Sequence, residues 1–90
     1  MSSPPAQVGT LEVALAHAAR LLASDPQLAA EQSTEILSVA PGHPAATLML
    51  GTAHRLQGDA FAALEVLEPL ARSQPNWGVV QLELGLALAN

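Results

Sequence analysis

Three histidines and eight acidic residues are the side chains of this 90-residue sequence that could support metal binding or acid–base catalysis. No two of His17, His43 and His54 are three or four residues apart, the spacing that places two metal ligands on one face of a helix. Two glutamate pairs do lie one helical turn apart, Glu31 with Glu35 and Glu65 with Glu68. Both pairs are typical of a solvated acidic face, so the sequence predicts no metal site and no catalytic acid.

Nucleophilic and phosphate-binding chemistry lack support in the same way. The chain has no cysteine, and its serines and threonines have no paired base nearby in the sequence. Its glycines follow a long repeat rather than a strand-to-helix turn, so they do not form a phosphate-binding loop. We therefore expect a chain that is not an enzyme and that binds no cofactor.

Composition and charge restrict the partners. Half of the residues are hydrophobic, 12% are charged, and the formal net charge is −5. The three cations, Arg20, Arg55 and Arg72, are too dispersed to follow a phosphate backbone, and the acidity disfavours an anionic membrane. The opening MSSPPAQ has neither the basic nor the apolar region of a signal peptide. These features predict a cytoplasmic protein that binds neither nucleic acid nor membranes.

Apolar residues at steps of three and four predict an all-α fold of five helices over residues 9–90, after a disordered tail at residues 1–8. Asp25 and Pro26 predict the end of the first helix and the N-cap and first turn of the second. Breaks at 41–44, 58–59 and 73–76 separate the others, and Phe61, Leu64, Leu67 and Leu70 mark the apolar side of the fourth. The last segment alternates like a strand, but its helix-forming residues and the lack of a partner strand favour a helix.

A period of 34 residues connects these helices. Leu50-Gly51 recurs as Leu84-Gly85, Pro41 recurs as Pro75, and Ala29 recurs as Ala63. The segment ATLMLGTAHRLQGDAFAALEVLEPLARSQP resembles the tetratricopeptide-repeat (TPR) family in these residues and in its Gly58-Asp59 turn. The resemblance implies a solenoid of about two and a half repeats, with units near 10–43, 44–77 and 78–90, the last incomplete. His17, at the position of Gly51 and Gly85, departs from the pattern, as terminal repeats often do.

The TPR resemblance also implies a function, a protein–protein interaction scaffold whose concave groove is lined by the first helix of each unit. In this chain the groove residues are mostly apolar and predict an apolar or amphipathic helical partner, with Arg55 pairing a carboxylate. TPR domains that clamp a chaperone carboxylate need Lys, Asn and Arg there, so that ligand is disfavoured. The alternative is a groove filled by the protein itself. The predicted groove residues are Leu11, Ala14, Ala18, Leu48, Thr52, Arg55, Leu82 and Leu86.

The final helix is apolar nearly all round and, as the first helix of an incomplete repeat, lacks a partner in the chain. A following helix of a longer protein could cover it, and for this chain we expect a homodimer through the C-terminal helix. The residues predicted to self-associate are Val79, Val80, Leu82, Leu84, Leu86 and Leu88.

A second likeness concerns residues 40–77, which resemble the repeat arrays that precede a sulfotransferase domain in some bacterial proteins. It implies that the chain is the N-terminal part of a larger protein with its catalytic domain beyond residue 90. The alternative function is therefore a regulatory or dimerisation segment of a sulfotransferase-like enzyme. A bacterial origin also fits an Ala-rich chain that has Arg but no Lys.

Overall fold

The computed structural model describes the backbone of residues 3–89 and the side chains of residues 10–89. Its helices are α1 (Ser3–Ser24), α2 (Pro26–Val39), α3 (Pro44–Leu56), α4 (Ala60–Ser73) and α5 (Gly78–Ala89). Residues 3–89 contain no strand, so the all-α prediction is confirmed. The alternating C-terminal segment is the helix α5, as the helix-forming residues between its leucines favoured.

Helix α1 begins earlier than the sequence predicts. The prediction is a tail over residues 1–8, whereas the helix includes residues 3–8, and residues 1 and 2 lie outside the described part of the chain. Pro4 and Pro5 motivate the predicted tail. Near a helix start, however, proline is tolerated because the N–H that it lacks has no intrahelical partner there.

Aspartates cap the second helix of each hairpin in the same way. The Oδ1 of Asp25 accepts a hydrogen bond of 3.1 Å from the backbone N–H of Leu28, and Pro26 lies in the first turn of α2, as predicted. Asp59, 34 residues later, accepts a bond of 3.1 Å from the N–H of Ala62 at the start of α4. Each carboxylate satisfies one N–H that the first helical turn leaves free.

The 34-residue period of the sequence recurs in the helix boundaries. α2 and α4 begin at residues 26 and 60 and end at 39 and 73, and α3 and α5 begin at 44 and 78. The turns contain Gly42 and Gly58, whose φ angles of 76° and 83° lie in the left-handed region that glycine adopts without a steric cost. The two hairpins are therefore built on one local plan.

Helix packing follows chain order. Each helix packs against the next, and α3 also contacts α1 and α5, while no other pair of helices is in contact within residues 3–89. The molecule is elongated, with extents of 49 × 28 × 19 Å. Helix α3 is the central element, since it contacts all four others.

Small and aliphatic side chains form the interior. Ala29 and Ala63, related by the repeat, are both fully buried, and Leu67 is the largest side chain with no exposed surface. Ser33, the counterpart of Leu67, is also fully buried, and its Oγ has no hydrogen-bond partner. Phe61 corrects the sequence prediction: 73% of its surface is exposed, so the apolar side of α4 starts after it.

Candidate functional site

The candidate site is the side of α5 that no other helix covers, which we call the α5 outer face. Among its large side chains, Leu82 is 60% exposed, Leu86 43%, Val79 50% and Leu88 61%. Gly85 and Ala89, both exposed, lie between them. The face consists of Val79, Leu82, Gly85, Leu86, Leu88 and Ala89.

The same positions of α3 are covered. Thirty-four residues before the α5 outer face lie residues that are buried or half-buried without exception, because α4 and α5 pack around α3. Those counterparts include polar residues, whereas the α5 outer face has none. The counterparts are Ala45, Leu48, Gly51, Thr52, His54 and Arg55. An apolar face is therefore open at the place where the repeat covers a more polar one.

The two glycines make this difference concrete. A Cβ atom built on Gly51 would lie 2.5 Å from Cδ2 and 2.6 Å from Cγ of Leu67, so α4 approaches α3 closely only because this residue has no side chain. A Cβ atom on Gly85 would meet nothing within 4 Å. Gly85 thus has the space for a leucine that Gly51 already holds.

The structure separates the predicted groove residues. Leu11 and Ala14 line an open cleft of about 670 Å³ between α1 and α2, together with Ile36 and Val39. Ala18 differs from the prediction, since it is fully buried against Ile36 and cannot contact a partner.

Further along, Leu48 is half-buried against the clusters around Leu67 and Leu70, and Thr52 is half-buried as well. Only Leu82 and Leu86 of the predicted groove are exposed, and both belong to the α5 outer face. The predicted residues do not share one continuous groove, because α3 and α5 pack together across it.

Arg55 is occupied within the chain. Its Nε donates to Oε1 of Glu83 at 2.7 Å, and an Nη donates to Oε2 at 3.4 Å, while the two side chains are 22% and 13% exposed. The carboxylate that the sequence assigns to a ligand thus comes from α5. A two-point contact between a guanidinium and a carboxylate fixes orientation as well as distance, so this pair orients α5 on α3.

We expect Arg55→Glu to lower the free energy of unfolding by about 1–3 kcal/mol, because Glu83 would be left half-buried beside a second carboxylate. The double variant Arg55→Glu with Glu83→Arg restores the pair, and we expect it to recover most of the loss. Urea unfolding followed by circular dichroism measures both effects. Equal stability of the single and double variants would show that the pair does not orient α5.

A smaller cleft, of about 350 Å³, adjoins the α5 outer face. It is lined by Leu86 and Ala89 from that face and by Arg55, Leu56 and Gly58 around the end of α3. Leu56 is 44% exposed and extends the apolar surface beyond α5. Sequence reasoning missed Leu56 and Glu83 as site residues; for Glu83 the only signal is that no other charged residue occurs after Arg72.

Two of the residues predicted to self-associate face inward. Val80 is fully buried and packs with Leu70 and Ala71, so it is not available to a partner. Leu84 is half-buried against the same cluster. The other four, at positions 79, 82, 86 and 88, are exposed. A helix that is apolar all round spends part of its surface on its own hairpin and leaves the rest open.

Within the described residues, no group of three or more His, Cys, Asp or Glu is placed to hold a metal ion. The same part of the chain contains no helix with the length and hydropathy needed to cross a bilayer. No protein-family model matches this chain, and neither a curated protein nor a solved structure matches it.

Proposed function

We propose that this chain is a non-catalytic TPR-type scaffold that binds a helical segment of a protein through the α5 outer face. The observation that carries the proposal is the exposure of that face: the repeat covers the equivalent side of α3 with a helix, but in residues 3–89 nothing covers α5. A row of exposed aliphatic side chains marks an interaction site rather than a solvated surface.

The packing order supports the solenoid. Each hairpin packs on the next through α3, and the 34-residue period appears in the caps, the boundaries and the buried alanines. In a solenoid each repeat contacts only its neighbours, so the end of the stack exposes the surface that a further repeat would bury. The α5 outer face is that surface here.

The two ends of the stack differ in character. The positions of α1 that correspond to the buried side of α3 include Glu12, Ala16 and Ala19, which are exposed and are acidic or small. Val13 is the one large apolar side chain that α1 exposes among residues 10–24. Helix α5 exposes a valine and three leucines. The C-terminal end of the stack is therefore the binding end.

The internal repeat also describes the partner. Because α4 covers α3 with Ala63 and Leu67 one helical turn apart, the matching occupant of α5 is a helix with a small residue and a leucine at that spacing. The leucine would occupy the open space over Gly85. The partner surface is uncharged where it touches α5, since no residue of the face carries a charge.

A peptide with the sequence of residues 59–74 of this chain is a direct probe, since it carries Ala63 and Leu67 with their own cap. We expect it to shift the backbone amide resonances of residues 79–89 when it is added to the 15N-labelled protein. Leu82→Glu should abolish the shifts, because it places a carboxylate on the apolar face without disturbing the interior.

Val13→Glu is the matched control, because Val13 is 66% exposed and lies on α1 at the other end of the stack. This variant should bind the peptide like the unmodified protein. The proposal fails if the peptide produces no shifts in α5, or if Leu82→Glu binds the peptide as well as Val13→Glu does.

A further inference from the structure

The α5 outer face is complementary in size to itself. Leu82, Gly85, Leu86 and Ala89 are spaced by three, one and three residues, and all lie on one side of the helix. When a second α5 is placed antiparallel, with a two-fold axis between residues 85 and 86, Leu86 of each copy faces Gly85 of the other. Leu82 of each copy then faces Ala89. Each large side chain meets a small one.

A leucine that packs on a glycine is a contact that this chain already makes. Leu67 of α4 lies so close to Gly51 of α3 that no side chain fits between the two helices. Gly85 is the counterpart of Gly51, and the space beside it is open. The contact of Leu86 with Gly85 in an antiparallel pair would repeat this packing twice, once on each side of the axis.

Charge does not oppose the pairing. The chain has a formal net charge of −5, which disfavours contact between two copies in general. The α5 outer face itself has no charged residue, and Glu83, the one charged residue of α5, is held by Arg55 on the opposite side. This face is where two copies meet with the least repulsion.

We propose that a second copy of the chain covers the α5 outer face, and that the two α5 helices cross antiparallel with Leu86 of each packed on Gly85 of the other. This inference rests on the proposed function, since it names the occupant of the same face. One helix face is smaller than the roughly 800 Å² per partner of a standard interface, so the dimer dissociates in the micromolar rather than the nanomolar range.

Sedimentation equilibrium of the 90-residue chain tests the register through a swap. Gly85→Leu sets leucine against leucine across the axis, and Leu86→Gly sets glycine against glycine. We expect each single variant to raise the dimer dissociation constant about tenfold or more. The double variant Gly85→Leu with Leu86→Gly restores one large and one small residue at each contact, and should dimerise nearly as well as the unmodified chain.

Cysteine crosslinking provides a second measurement that does not alter Gly85 or Leu86. The chain has no cysteine of its own, so single cysteines introduced as Leu82→Cys and Ala89→Cys report on each other alone. When the two variants are mixed and oxidised, the antiparallel pairing predicts the mixed disulfide as the main product. A parallel pairing would instead favour the disulfide between two copies of Leu82→Cys. Val13→Cys is the control that should not crosslink.

Each outcome decides between the two proposals. A chain that stays monomeric at high micromolar concentration overturns the dimer, and so does a swap variant no better than the single variants. If such a monomer still shows amide shifts in α5 with the peptide of residues 59–74, the scaffold function stands and its partner is another protein. If the chain neither dimerises nor binds that peptide, both proposals fail.

Discussion

Leu67→Ala should lower the free energy of unfolding by about 2–5 kcal/mol, the range for removing a buried leucine side chain. Leu67 is fully buried and packs with Ala63 and Ala87, while its terminal atoms lie against Gly51. Such small neighbours have no long side chain that could move into the cavity, so we expect the upper part of this range. Urea unfolding monitored by circular dichroism gives the value.

Leu88→Ala is the matched control for this variant, because Leu88 is 61% exposed and removes the same atoms from the surface. At a protein concentration at which the chain is monomeric, it should change the stability by less than about 0.5 kcal/mol. Equal effects of the two substitutions would mean that α4 does not bury Leu67 against α3, and the stacked arrangement of the hairpins would be incorrect.

The same substitution at two positions of the repeat should have opposite effects. Gly51→Leu forces a whole side chain into space that Leu67 fills, where even a Cβ atom would lie 2.5 Å from Cδ2. We expect a loss of about 3 kcal/mol or more, at the upper end of the cost of overpacking, since α3 and α4 must separate. Gly85→Leu meets nothing within 4 Å and replaces a poor helix former, so the monomer should gain up to about 1 kcal/mol.

Thermal unfolding of both variants at low protein concentration compares them directly, because each replaces a glycine by a leucine in the middle of a helix. Dimerisation separates the two roles of Gly85: its leucine variant should be more stable as a monomer and yet weaker as a dimer. A general loss of structure at α5 would lower both quantities. If Gly51→Leu is tolerated as well as Gly85→Leu, close packing of α3 on α4 is not what holds the first two hairpins together.

Local signals predicted the helices and their ends well. Asp25, Pro26 and Asp59 act within three residues of where they stand, so their effect is visible in the sequence alone. The prolines at 4 and 5 are the exception, because a proline permits the start of a helix as readily as it ends one. Their local signal could not determine on which side of them α1 begins.

Exposure was less predictable, because it depends on which helices lie next to each other. Ala18 and Val80 were assigned to contact surfaces from helical periodicity, yet both are fully buried by neighbouring helices. Phe61 was assigned to the apolar side of α4, yet it is exposed at the start of that helix. Periodicity identifies a face of a helix, but it does not say how far a second helix extends over it.

The sequence by itself determined that this chain is helical, where its helices end, and that its hairpins recur every 34 residues, since each of these depends on neighbours in the chain. Only the tertiary structure decided that Arg55 is paired with Glu83, 28 residues away, and that Gly51 is filled while Gly85 is open. Identical residues at equivalent positions of a repeat differ in this way for one physical reason. Local conformation is set by the chain itself, whereas burial is set by what packs against it.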